Sequence, residues 1–150
     1  MNTIKITAFI LSLATLWTSC DKDKKYSKRL AGEVWKVAEL SVNGSTETDL
    51  PTLSFDKCDI YDELCNATWT NTEGGMATFI WQFNESGKKF EISNQSDSII
   101  SLANSDAMLQ CYDLSGVYNV EEHKKDNMEF TSTATMGYPG KTVIIKMEKQ

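Results

Sequence analysis

One pattern constrains this chain more than any other, a strict alternation that keeps returning. Ala77, Phe79, Trp81 and Phe83 alternate with Thr78, Ile80, Gln82 and Asn84. Leu53 and Phe55 alternate with Thr52, Ser54 and Asp56, and Phe90 and Ile92 with Lys89, Glu91 and Ser93. Tyr118 and Val120 alternate with Asn119 and Glu121, and Met128 and Phe130 with Glu129 and Thr131. Val143, Ile145 and Met147 oppose Lys146 and Glu148. A period of two sends every second side chain to the same face of a strand. The runs are rich in aromatic and β-branched residues, which suit a half-buried sheet. Turn residues separate them: Asn43-Gly44-Ser45, Glu73-Gly74-Gly75, Glu85-Ser86-Gly87-Lys88, Lys124-Lys125-Asp126-Asn127 and Gly137-Tyr138-Pro139-Gly140.

The expectation is therefore all-β: about eight short antiparallel strands closing as an up-and-down barrel or a sandwich. Near 33–42 the phase slips, because Trp35 and Val37 share one parity and Leu40 and Val42 the other. A slip of one residue swaps faces, which predicts a bulge at Ala38-Glu39. The stretch from Asn94 to Leu114 is the least patterned. Ile99-Ile100 fits a short strand, and Ala107-Met108-Leu109 fits either a helical turn or a strand.

With 150 residues the chain has room for one domain. Its 21 acidic against 15 basic side chains give a net charge of −6, without the basic face that nucleic-acid binding needs. The segment Ala8 to Trp17 is apolar and uncharged, but shorter than the roughly 20 residues of a membrane span. Thr18 and Ser19 follow, then Cys20. Short start, apolar run and small residues together read as a secretory signal, residues 1–19. The Cys after the small pair resembles a bacterial lipobox, although Trp17 stands where that pattern usually has Leu. The resemblance implies that Cys20 opens the mature protein and carries palmitate-type acyl chains. Residues 20–29 contain no aliphatic side chain. Too little apolar surface is available there for order, so the segment reads as a tether leading to a domain over 30–150.

The opening Leu30-Ala31-Gly32-Glu33-Val34-Trp35-Lys36-Val37 resembles that of lipocalin-like lipoproteins of Bacteroidetes. Phe79-Ile80-Trp81-Gln82-Phe83, the strand Phe90-Glu91-Ile92-Ser93, and Cys58 and Cys65 ahead of Trp69 fit the same picture. Here the spacing is Gly32-x-x-Trp35, where true lipocalins have Gly-x-Trp. The resemblance implies a monomeric, lipid-anchored barrel of the cell envelope at the outer membrane, on its periplasmic or its outer side. Asp97-Ser98-Ile99 likewise resembles the short O-glycosylation motif of exported Bacteroidetes proteins, against a plain loop serine at Ser98.

A barrel of eight strands is either filled by side chains or holds one small ligand. Trp35, Phe55, Trp69, Phe79, Trp81, Phe83, Phe90, Tyr118 and Phe130 are the inward candidates. Most read as core, since aromatics dominate small cores. A pocket, if present, would be walled by Trp69, Trp81 and Tyr118.

Catalytic chemistry is thin, and the chain reads as a binding protein, not an enzyme. The sole imidazole, His123, sits in Glu121-Glu122-His123-Lys124-Lys125 and reads as solvated. One His excludes the usual His-based zinc cluster. The acidic Asp56, Asp59, Asp62 and Glu63 lack the Gly and the alternation of a calcium loop. No cofactor or metal is expected. Two functions stay open: capture of a small hydrophobic ligand at the envelope, or a protein–protein or enzyme-inhibitor role without one.

Export implies oxidising surroundings, where cysteines pair. With Cys20 acylated, Cys58–Cys65, Cys58–Cys111 and Cys65–Cys111 all remain open. If the strands holding Phe55 and Trp69 form a hairpin, Cys58 and Cys65 meet across the base of its loop, and Cys111 becomes a buried thiol.

Overall fold

The computed structural model describes residues 20–59, 64–94 and 106–150. Residues 1–19, Asp62, Glu63, Ser98 and Ile99-Ile100 lie outside the described residues. The strands are β1 (Val34–Val42), β2 (Ser45–Thr46), β3 (Thr52–Phe55), β4 (Cys65–Thr70), β5 (Met76–Asn84), β6 (Lys89–Ser93), β7 (Gly116–His123), β8 (Asn127–Ser132) and β9 (Val143–Lys149). The helices are α1 (Cys20–Leu30) and α2 (Asp106–Asp113).

β2 is a two-residue flap on β1, joined through the left-handed pair Asn43 and Gly44 (φ +50° and +81°) that a tight hairpin requires. The other eight strands follow chain order, each antiparallel to the next, and β9 returns to β1. Pairing from Trp35↔Lys149 to Val42↔Val143 closes the sheet. The expected up-and-down barrel of about eight strands is what the chain forms.

The alternation has its physical cause in this closure. Along β5 the residues Ala77, Phe79, Trp81 and Phe83 are buried while Met76, Thr78 and Gln82 face water. β3, β4, β6, β8 and β9 bury Leu53, Trp69, Phe90, Phe130 and Ile145 in the same way. The expected bulge lies between Val37 and Glu39, where β1 shifts register on β9. A second shift, between Val120 and Glu122 on β7, has no phase slip to announce it in sequence.

The barrel has two ends. At the base lie α1, the Cys58–Cys65 loop and the β5–β6 and β7–β8 turns. At the opposite end lie the β4–β5 turn, α2 and the β8–β9 loop. Cys58 and Cys65 are disulfide-bonded with Cα atoms 5.5 Å apart, and Cys111 is a buried free thiol. Both agree with the hairpin expectation.

The tether expected over 20–29 is corrected: the segment is α1, and it is docked. Within 20–29 its packed face has no aliphatic residue, which is why composition hides it. Asp23, Tyr26, Ser27 and Leu30 recur at the i, i+3, i+4, i+7 spacing of one helix face. Leu30 is fully buried and Ser27 nearly so. Tyr26 meets Phe83 edge-on, with centroids 5.6 Å apart. Lys28 and Arg29 end the helix, as its dipole favours.

The seat of α1 is the β5–β6 turn. Glu85, Ser86 and Gly87 are successively left-handed (φ +54°, +58° and +76°). Such a run turns consecutive N–H groups to one side and makes a small anion nest. The Asp23 carboxylate occupies it, accepting from Ser86 N–H (3.3 Å) and from Gly87 N–H. A side chain at Gly87 would place Cβ 2.5 Å from the Tyr26 ring.

Candidate functional site

The residues with chemical character gather in two places, the barrel interior and the contact between α1 and β7. In the interior, Phe55, Phe79, Trp81, Phe83, Phe90 and Phe130 form a continuous aromatic stack through the lower barrel. Phe55 meets Trp81 edge-on at 5.2 Å, and Phe90 stacks on Phe130 at 4.6 Å. Trp81 is 1% exposed and donates from Nε1 to the Asn66 carbonyl (3.1 Å). The structure thus sets it in the aromatic stack, on the strand next to Trp69.

Trp69 and Tyr118 lie nearer α2. Trp69 pairs across strands with Ala77, and Ala67 pairs with Phe79. Small side chains therefore alternate with large ones on this wall. Trp69 Nε1 donates to Gln110 Oε1 (2.7 Å), and Gln110 Nε2 donates to the Asp49 carbonyl (2.9 Å). α2 is thereby tied to β4 and to the link before β3, with Ala107 and Cys111 buried beneath it. The segment Ala107-Met108-Leu109, open between helix and strand in sequence, is helical. Tyr118 donates from its hydroxyl to the Leu114 carbonyl, and burial pushes its pKa up. Burial likewise raises the Cys111 thiol to about 12, so it is held protonated.

His123, expected to be solvated, is corrected. The Tyr26 ring stacks on it with centroids 3.4 Å apart and planes 12° from parallel, and Phe83 meets it edge-on. Arg29 Nη1 donates to Nδ1 at 2.8 Å. A guanidinium only donates, so Nδ1 accepts and the proton of the neutral ring sits on Nε2. Nε2 is buried with no partner among the described residues. Burial, then the charges of Arg29 and Lys25, lower the His123 pKa to about 4. Sequence offered no local signal for this cluster, because its partner Arg29 is 94 positions away.

The sign of the pH effect follows. The folded protein holds His123 neutral, while the unfolded chain takes up a proton near pH 6.5. Stability from the neutral ring is complete above about pH 6.5 and is lost as pH falls toward 4. Since the ring is partly exposed, solvent screening limits the loss to about 1–2 kcal/mol. Urea unfolding of the natural protein and of His123→Phe at pH 7 and pH 4.5 checks this. The natural protein is expected to lose more on acidification, and equal losses would refute the effect.

Outside the barrel, Ala38, Glu39, Glu122, Asn127, Glu129, Lys146 and Glu148 line a shallow cleft of about 310 Å³ at the two bulges. Lys146 bonds Glu39 at 2.8 Å there. Among the described residues no group of His, Cys, Asp and Glu could hold a metal ion.

Fold and interior together define a closed antiparallel barrel with an aromatic core and a helix at each end. No family model matches the chain, and no curated protein sequence does. Among solved structures it is similar to a lipocalin-like protein from Bacteroides uniformis. That likeness has 15% identity and a TM-score of 0.45 over 81% of this chain and 99% of the other. It is also similar to an uncharacterized protein from Bacteroides eggerthii, with 16% identity and a TM-score of 0.47 over 77% and 97% of the two chains.

Proposed function

We propose that this chain is a lipid-anchored binding protein of the bacterial cell envelope, held at the outer membrane by acyl chains on Cys20. Its barrel takes one small apolar molecule on the wall formed by Trp69 and Tyr118. The observation that carries this reading is the state of the polar atoms on that wall. Trp69 Nε1 is tied to Gln110, and the Tyr118 hydroxyl to Leu114. Inward lie the buried rings of Trp69 and Tyr118, with the small Ala67 and Ala77 on the Trp69 side. An apolar guest loses no hydrogen bond on such a wall, whereas a polar one leaves its groups unmet.

Native mass spectrometry of the protein purified from its own host tests this. The expected result is an added mass of a few hundred daltons, on the order of one drug-sized ligand, which leaves on denaturation. A bare protein mass would overturn the ligand reading. It would favour the second one, a protein–protein contact, for which Met76, Leu109 and Met136 are exposed at the end that α2 closes.

A further inference from the structure

The helix that replaces the expected tether has two faces, and only one is used by the barrel. Asp23, Tyr26, Ser27 and Leu30 face inward. Lys22, Lys25 and Lys28 recur every third residue on the other side, and all three are exposed. The charge there runs against the rest of the molecule. α1 carries five basic and two acidic side chains, whereas residues 31–150 carry nine basic and nineteen acidic. The two ends of the barrel differ accordingly. Beside α1 the β5–β6 and β7–β8 turns carry Lys88, Lys124 and Lys125 against Glu85 and Asp126, and the β3–β4 loop carries Asp56, Asp59, Asp62 and Glu63 against Lys57, an acidic excess that the basic residues of α1 offset. At the far end Glu47, Asp49, Glu73 and Asp106 stand against Lys141.

We propose that the Lys22–Lys25–Lys28 face of α1 is a docking surface for anionic phospholipid head groups, which seats the barrel upright on the membrane with its acidic end pointing away. This rests on the acylation of Cys20 proposed above, because α1 begins at Cys20 itself. A lipid on that residue leaves no spacer between bilayer and helix. Basic side chains within a Debye length of an anionic leaflet are attracted to it. The acidic end is repelled by the same field, so both ends favour one orientation. The contacts of Tyr26 with Phe83 and His123, and of Asp23 with the β5–β6 turn, hold the helix to the barrel. The orientation of the helix is therefore that of the whole body.

The test uses the mature protein extracted from its host in detergent. It is reconstituted into vesicles of phosphatidylcholine alone, or of phosphatidylcholine with about one third phosphatidylglycerol. Lysines are acetylated briefly and peptides are read by mass spectrometry. The expected result is a severalfold loss of reactivity at Lys22, Lys25 and Lys28 in the anionic vesicles only, with Lys36 and Lys141 unchanged. Protection is expected to vanish in about 1 M salt, where screening acts within roughly 3 Å. Equal reactivity of the three lysines in both vesicles overturns the docking surface, whatever the state of Cys20. The same spectra read the N-terminal peptide. A peptide without acyl mass sinks the anchor alone, provided the protein still sediments with anionic vesicles and its lysines stay protected. Failure of such unacylated protein to sediment with them overturns the docking surface too.

Discussion

Trp81→Ala is expected to cost about 3–5 kcal/mol, the usual loss on deleting a large buried aromatic. Trp81 stands at the middle of the cleanest alternating strand, between Cys65 on one neighbour and Ile92 on the other. Phe55 and Phe83 meet its ring nearly at right angles, and Phe90 leans on it. Three rigid rings cannot collapse into the space an indole leaves, so the variant keeps a cavity instead of closing it. The Asn66 carbonyl loses the indole donor as well. A domain of this size is stable by about 5–15 kcal/mol, so the loss takes a large share of the total. Urea unfolding at pH 7 measures it, and a change below about 1 kcal/mol would place Trp81 outside the core.

The second large effect concerns α1. A chain that lacks residues 20–30 is expected to fold into the barrel but with about 3–5 kcal/mol less stability, the combined scale of burying Leu30 and most of Tyr26 and of satisfying two turn N–H groups. Leu30 is wholly buried. Tyr26 covers Phe83 and His123, and its removal opens the aromatic stack to water from below. The turn residues Glu85 and Ser86 stay left-handed without the carboxylate that their geometry serves. Thermal unfolding of the two chains, together with amide exchange at the β5–β6 turn, checks this. An unchanged midpoint would show that α1 contributes nothing to the barrel.

The two cases show what local pattern carries and what it does not. Strands were legible because each one buries a single face against a shared core, which writes period two into the residues. The slip at Ala38-Glu39 was legible for the same reason, since a bulge must break parity when both flanks stay buried. The shift after Val120 left no such mark, because the residues beyond it, Glu121 and Glu122, face outward or only partly inward. α1 was illegible because its docking face is an acid, a phenol, a serine and one leucine. Those types count as solvent-facing until a partner surface is known. His123 failed the same way: its charged neighbours in sequence suggested water, while the groups that desolvate it arrive from α1. Of the candidate wall, the burial of Trp69 and Tyr118 could be read from alternation. Their hydrogen bonds to Gln110 and Leu114 could not, because α2 and its surroundings carry no periodicity.

The closure of β9 onto β1 sets the order in which this molecule can be made. Val34 to Val42 open the barrel, and their partners Val143 to Lys149 close it some hundred residues later. Loop-closure entropy over some hundred residues must be met before that seam rewards it, so contact order alone makes the final step slow. Until β9 docks, β1 and β8 each present an open row of N–H and C=O groups. While the seam is open, the partly folded chain is therefore an unfinished sheet with two adhesive edges.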